Sequence, residues 1–224
     1  MRIKPASKPR FTDAELATAW QVASLLLGYP DDELMGRRPL LRRAADGLPE
    51  PMATPLRAFL DHLDATPLPD LAADYVATFD HRKRCCLYLT YYAYGDTRKR
   101  GMALLRFKQA YGAAGLVLDD AELPDHLAVV LEFAATGDLT AGRRLLLEHR
   151  AGLELLRLAL TESGSPWAPV LDAVAATLPP LTGRNETAVA RLIAEGPPEE
   201  QVGLAPYGPG LGPGAGPVLP GVPS

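Results

Sequence analysis

The chain has 224 residues, 47% of them apolar and 22% charged, with a net charge of −4. That length suits one large domain or one domain with a tail, and the composition is that of an ordinary globular protein. The mildly acidic balance argues against a nucleic-acid binder that relies on an overall positive field.

The basic N-terminal stretch has no apolar run of signal-peptide length behind it. The apolar run at 22–27 is broken by Ser24 and is far too short to span a bilayer. No hydrophobic segment follows the Arg37-Arg38 and Arg42-Arg43 pairs, so they are not an export signal. The only cysteines, Cys85 and Cys86, are adjacent. Bonding neighbours is strained, so no disulfide framework is expected and reduced thiols point to the cytoplasm. The expectation is a cytoplasmic protein that neither inserts into a membrane nor binds nucleic acid.

The elements read as helix after helix. Thr12 and Glu15 form a capping box, each satisfying a free amide of the other's region. Leu16, Trp20, Ala23 and Leu27 follow on one face, and Gly28 and Pro30 stop the helix. Thr54-Pro55 opens a second segment striped by Leu56, Phe59, Leu60 and Leu63. Pro69 begins another, with Leu71, Tyr75 and Phe79 four residues apart and therefore on one face. The segment CLYLTYYAY has strand composition, but nothing else alternates convincingly to pair with it, so a buried helix is expected there.

Asp96 is placed as the N-cap of a helix running to Ala114, striped by Leu104, Phe107, Tyr111 and Ala114 and ended by Gly115. Pro124 opens the next, with Leu127, Val130, Leu131 and Ala134 in register. Residues 139–160 are Leu-rich enough to be buried on more than one side. Ser165-Pro166 starts a helix carrying Trp167, Val170, Leu171, Val174 and Leu178, closed by Pro179-Pro180, and a weaker helical stretch covers 186–194. Beyond it, 16 of the 29 residues in 196–224 are glycine or proline, a composition that cannot bury enough apolar surface to offset chain entropy. The expected organisation is a flexible segment at 1–11, one all-α helical bundle at 12–195 and a disordered tail at 196–224.

Chemistry is sparse. His81, Cys85 and Cys86 are the only thiol–imidazole cluster, and adjacent cysteines on a helix point about 100° apart, so no metal site is expected and packing is the simpler reading. Four histidines, no nucleophile–base spacing and no phosphate loop leave no catalytic residue to name. Two basic clusters, residues 81–84 and Arg98-Lys99-Arg100, are either solvated helix edges or anion contacts. Cations in a first helical turn oppose the macrodipole, which favours a partner for the second cluster. Asp125 and His126 open a helix beside aromatic residues; such a pair is either a cap or a site for polar or cationic groups of a peptide.

Several stretches resemble a known family: Tyr75-x-x-x-Phe79-Asp80, Leu87-Tyr88-Leu89-Thr90-Tyr91, the run from Gly95 to Lys108 (GDTRKRGMALLRFK), and Glu122-Leu123-Pro124-Asp125-His126-Leu127, with Glu200-Gln201-Val202-Gly203-Leu204 in the tail. The chain is identified by them as a member of the NarJ-type nitrate reductase molybdenum cofactor assembly chaperones, a branch of the TorD/DmsD-like redox-enzyme maturation proteins. The likeness runs roughly from Trp20 to Leu204. Cys85 and Cys86 stand where the family commonly has small hydroxyl residues, and Tyr92 where a histidine is frequent.

The resemblance implies a TorD-like all-helical fold, no catalysis and no cofactor of its own. Its implied partner is the apo catalytic α subunit of nitrate reductase, including an N-terminal peptide bound as an amphipathic helix in a groove. Such binding holds the subunit back from its membrane anchor until the iron–sulfur cluster and the molybdenum cofactor are inserted, with cofactor delivery proteins as further partners. On that basis Tyr75, Phe79, Asp80, Glu122, Asp125 and His126 are the expected peptide site, with Asp125 and His126 foremost. Arg98, Lys99 and Arg100 are expected to meet an acidic part of the client or an anion. The competing expectation is a helical anion- or nucleotide-binding protein that touches the molybdenum cofactor through its basic clusters.

Overall fold

The computed structural model describes residues 10–119, 122–181 and 183–195. The tail expected at 196–224, and residues 1–9 of the expected N-terminal segment, lie outside them. Eleven α-helices form among the described residues, and the extended backbone contributes no named strand, only an isolated antiparallel bridge between Tyr88 and His126.

Helix α1 (Asp13–Leu26) runs through the core, and the Thr12–Glu15 capping box expected from sequence is present in full. Leu16, Ala19, Trp20, Val22, Ala23 and Leu26 are all buried on it, so the helix is enclosed rather than laid on a surface. Its polar groups are satisfied across the interior. The Trp20 indole donates to Thr177 Oγ1 at 2.9 Å, and Ser24 Oγ donates to the Ala128 carbonyl at 2.7 Å. Helix α2 (Asp32–Asp46), which the sequence reading passed over, is capped by the Asp31 carboxylate. Its buried residues are only Leu34, Leu41 and Ala45, too thin a stripe to read against four arginines and an internal proline.

Helix α3 (Glu50–Ala65) begins a turn before Thr54, because Pro51 rather than Pro55 occupies its first turn. It packs Phe59 against Trp167, ring centroids 5.5 Å apart, just before α10 (Ala168–Thr177). Helix α4 (Leu68–Tyr75) continues into a π turn, Val76–Asp80, closed by the amide of His81 on the Val76 carbonyl at 3.2 Å.

The aromatic segment differs most from expectation. Lys83–Cys85 form a 3₁₀ turn, the chain then extends through Tyr88, and only α5 (Leu89–Tyr94) is helical. The partner that a strand lacked in the sequence is the short stretch 125–127: Leu89 N donates to Asp125 O at 3.1 Å and Leu127 N to Leu87 O at 2.8 Å. Gly95, with φ 57°, then turns the chain in a conformation that L side chains avoid.

Helix α6 (Arg98–Ala113) follows, with Thr97 at the cap position; Asp96 pairs instead with Arg100 at 3.2 Å. Its core stripe is Ala103, Phe107 and Tyr111, while Leu104 is half-buried and Ala114 exposed. Pro124 precedes α7 (Leu127–Glu132) by a turn instead of opening it, and α7 runs into a second π turn, Phe133–Gly137. The Leu-rich stretch 139–160 breaks at His149 into α8 (Leu139–Glu148) and α9 (Arg150–Glu162). Helix α9 is tied to α10 through Arg157, which donates to Glu154 and to Asp172 Oδ1, the latter at 2.9 Å. Helix α11 (Arg184–Glu195) packs on α9 and closes the described chain.

Candidate functional site: an aromatic cleft with an acidic rim

A cleft of about 340 Å³ opens between the end of α1, the α4 π turn, the extended segment before α5 and the start of α7. Tyr29, Tyr75, Phe79, Tyr88 and His126 line it, with Asp80 and Glu122 among its charged residues. Five of the six residues expected to bind a peptide, namely Tyr75, Phe79, Asp80, Glu122 and His126, therefore meet in one place although they span 52 positions of sequence.

Each wall has a local cause. Tyr75 and Phe79 do share a face, their ring centroids 4.8 Å apart, and both pack edge-on to Trp167 at 5.7 and 5.4 Å. The Tyr75 hydroxyl donates to the Leu27 carbonyl at 3.0 Å. Burial and the nearby Asp80 and Glu122 carboxylates push that phenol far above its ordinary pKa, so it stays neutral. Both residues are thus anchored in the core, Tyr75 8% and Phe79 7% exposed. Tyr29, which the sequence reading did not select, stands edge-on to Tyr75 at 5.5 Å and is the exposed aromatic of the site.

On the opposite wall, the Tyr88 hydroxyl donates to Glu122 Oε1 at 3.1 Å, and burial followed by Glu122 raises its pKa to about 12. The His126 ring meets Tyr88 edge-on at 5.4 Å. Burial lowers the pKa of His126, with Glu122 and Asp125 acting against the shift, and its buried Nδ1 has no protein partner.

Asp125 lies beneath this wall, not in it. It precedes α7, is 0% exposed, and its Oδ2 accepts from Thr90 N at 3.0 Å and Thr90 Oγ1 at 2.5 Å. Its carboxylate therefore caps α5, a helix 35 residues earlier, where a sequence reading expects it to serve the helix that follows. Arg100 joins the same network. Its Nε contacts Thr90 Oγ1 at 3.2 Å, its Nη2 lies 3.9 Å from Asp125 Oδ2, and its guanidinium covers the Tyr88 ring at 5.4 Å. Of the Arg98-Lys99-Arg100 cluster, only Arg98 and Lys99 are exposed. The cluster at 81–84 lies elsewhere, beside the end of α9.

Tyr92, noted above as a departure from the histidine frequent in the resembling family, shares its hydroxyl between the carbonyls of Arg84 and Cys86 at 3.0 and 2.8 Å, fixing the 3₁₀ turn. The described residues contain no cluster of three or more metal-ligating side chains.

Residues 45–173 match the family described as nitrate reductase delta subunit. The chain belongs to that family. Among its relatives is the probable nitrate reductase molybdenum cofactor assembly chaperone NarJ of Bacillus subtilis, 30% identical over 168 residues that cover 75% of this chain and 90% of that protein. The nitrate reductase-like protein NarX of Mycobacterium tuberculosis is 44% identical over 158 residues, 70% of this chain, but the match spans only 24% of NarX. The fold is that of a redox enzyme maturation protein: a crystal structure described as a putative member from Archaeoglobus fulgidus superposes with a TM-score of 0.53 at 22% identity, covering 79% of this chain and 97% of that one. Asp125 and the cleft residues from Tyr75 to Val129 fall inside the segment matched by this delta subunit family, whereas Gly28 and Tyr29 precede it.

Proposed function

We propose that the chain is an assembly chaperone for respiratory nitrate reductase, holding the apo α subunit while the molybdenum cofactor and the iron–sulfur cluster are inserted and before membrane anchoring. The observation that carries this reading is the cleft, in a chain of a family whose relatives are named as molybdenum cofactor assembly chaperones. It combines an apolar aromatic floor with carboxylates at Asp80 and Glu122. An N-terminal peptide of the α subunit, helical and with basic residues beside an apolar face, matches both features by helix-in-groove recognition. The role is one of holding, and it is exercised in the cytoplasm; the molybdenum cofactor is cargo for the client, brought by delivery proteins.

Within the cleft, Tyr29 and the small exposed parts of Tyr75 and Phe79 supply apolar contact, and Asp80 and Glu122 meet cationic side chains. Asp125 acts indirectly, by holding the Tyr88–His126 wall. Titration of the α-subunit N-terminal peptide into the chain by calorimetry tests this. Wild type binds, and Tyr29→Ala or the Asp80→Asn, Glu122→Gln pair weakens binding by more than about 1 kcal/mol, the level that marks an interface hot spot. Unchanged affinity in both variants removes the cleft as the peptide site.

A further inference from the structure

Helix α6 carries Arg98, Lys99, Arg100, Arg106 and Lys108 and no acidic residue, in a chain whose net charge is −4. Arg100 is the one turned inward, with a side chain 18% exposed; the other four cations are exposed. Only Ala103, Phe107 and Tyr111 of the sixteen residues are buried. On the opposite face, Met102 is 69% and Leu105 48% exposed, placed one turn apart between the cations. Gly101 and Gly112 sit eleven positions apart on that same side, and a Cβ added at either would meet no atom within 4 Å.

This is a costly helix for a solvent-facing position. Two glycines weaken it relative to alanine, the four exposed like charges repel, and Arg98 and Lys99 oppose the macrodipole in the first turn. Each feature has a use if a second helix lies along α6. The glycines allow close backbone approach, Met102 and Leu105 supply apolar contact, and the flanking cations pair with acidic residues on the partner. A cleft of about 370 Å³ beside Leu104, Leu105 and Lys108 reaches Leu123 and the carboxylates Asp119 and Glu122, so this face adjoins the aromatic cleft through Glu122, and the basic docking surface is the outer face of α6 and not this cleft.

We infer that the outer face of α6 docks an acidic, amphipathic helical segment of the client outside its N-terminal peptide, which rests on the client reading given above. Charge selects the occupant: the aromatic cleft has a carboxylate rim and suits a basic peptide, whereas α6 is uniformly basic. A membrane surface fits less well, because the aromatic side chains of α6, Phe107 and Tyr111, are buried in the core, and Met102 and Leu105 alone make a narrow insertion face.

The test uses an apo α subunit lacking its N-terminal peptide, with the isolated peptide as a second probe, against wild type and an Arg98→Glu, Arg106→Glu, Lys108→Glu variant. Because all three substituted positions are exposed, folding is expected to survive; Met102→Asp is a second, single-site variant. The inference predicts that truncated-subunit binding falls at least tenfold in both variants and weakens with salt for wild type, while peptide binding stays unchanged. Equal binding of the truncated subunit by wild type and variants overturns it, as does no binding by wild type while the peptide still binds. Loss of peptide binding with the truncated subunit still held through α6 would instead overturn the cleft reading alone. If wild type sediments with phosphatidylglycerol vesicles, the reversal variant does not, and truncated-subunit binding is unaffected, the occupant is a membrane surface and the inference is wrong.

Discussion

Replacing Asp125 with alanine is expected to destabilise the fold more than it alters the surface of the cleft. The carboxylate is fully buried and receives two hydrogen bonds from Thr90, with the Arg100 guanidinium 3.9 Å away. Removing it leaves the Thr90 amide at the start of α5 without its acceptor. Hydrogen bonds to a buried charge contribute about 1.5–3 kcal/mol each, and removing one member of a buried pair typically costs about 3–5 kcal/mol. Arg100 retains Asp96 and some solvent contact, which lowers the loss, so about 3 kcal/mol is expected for the substitution. For a domain of this size that corresponds to a fall of about 6–12 °C in Tm. Urea denaturation of Asp125→Ala and Thr90→Val, followed by circular dichroism, measures it, and the double variant should lose less than the sum because the two residues form one network. A loss under about 1 kcal/mol for Asp125→Ala would falsify the assignment of this carboxylate to α5 and Arg100.

Other consequences follow from packing and protonation. A Cβ added at Gly142 would lie 2.3 Å from Ala134 Cβ and 2.4 Å from its Cα, and one at Gly152 would lie 2.8 Å from Tyr92 Cβ. Gly142→Ala should therefore cost at least the ~1–3 kcal/mol of an overpacked core, read as a lowered urea midpoint, and Gly152→Ala should lower it too. Burial depresses the pKa values of both His126 and His149. The unfolded chain then takes up protons first as pH falls below about 6.5, so stability is full above that value and declines towards pH 5. His126→Phe should flatten that decline, and an unchanged pH profile would count against a neutral buried imidazole. Burial also raises the thiol pKa of Cys85, and that of Cys86 to about 11. A thiol reagent at pH 8 should label both slowly in the native protein and rapidly in urea; fast native labelling contradicts the packing described.

Helices with a full apolar stripe were legible in the sequence. The cap of α1, the stripe of α3 and the face shared by Tyr75 and Phe79 all follow from local spacing, which a periodic pattern records directly. Helix α2 was not legible, because three buried residues among four arginines leave almost no stripe. The extended piece at Tyr88 was missed for a different reason. Its pairing partner is three residues long and sits near His126, and no alternation marks so short a bridge.

The site divides in the same way. Tyr75 and Phe79, whose place depends on their own helix, are brought onto one face by spacing that the sequence records, and Asp80, Glu122 and His126, which the family resemblance singled out, line the same cleft. Tyr29 was not singled out, since it follows the stop of α1 and joins the cleft only because Tyr75 folds back beside it. Asp125 was selected, but its direction was not readable: a carboxylate before a helix suggests a cap for that helix, and here it caps α5 across the chain. The basic run at Arg98 likewise looks uniform in sequence, while Asp96, Thr90 and Tyr88 draw Arg100 inward and leave its neighbours exposed.

The central claim is that this chain is needed to load nitrate reductase with its molybdenum cofactor. Molybdenum content per α subunit, measured by mass spectrometry on enzyme purified from cells with and without the chain, tests it most directly. The account predicts α subunit poor in molybdenum without the chain and restored by wild type. Tyr29→Ala should restore less than wild type. Full molybdenum occupancy in the absence of the chain would contradict the account.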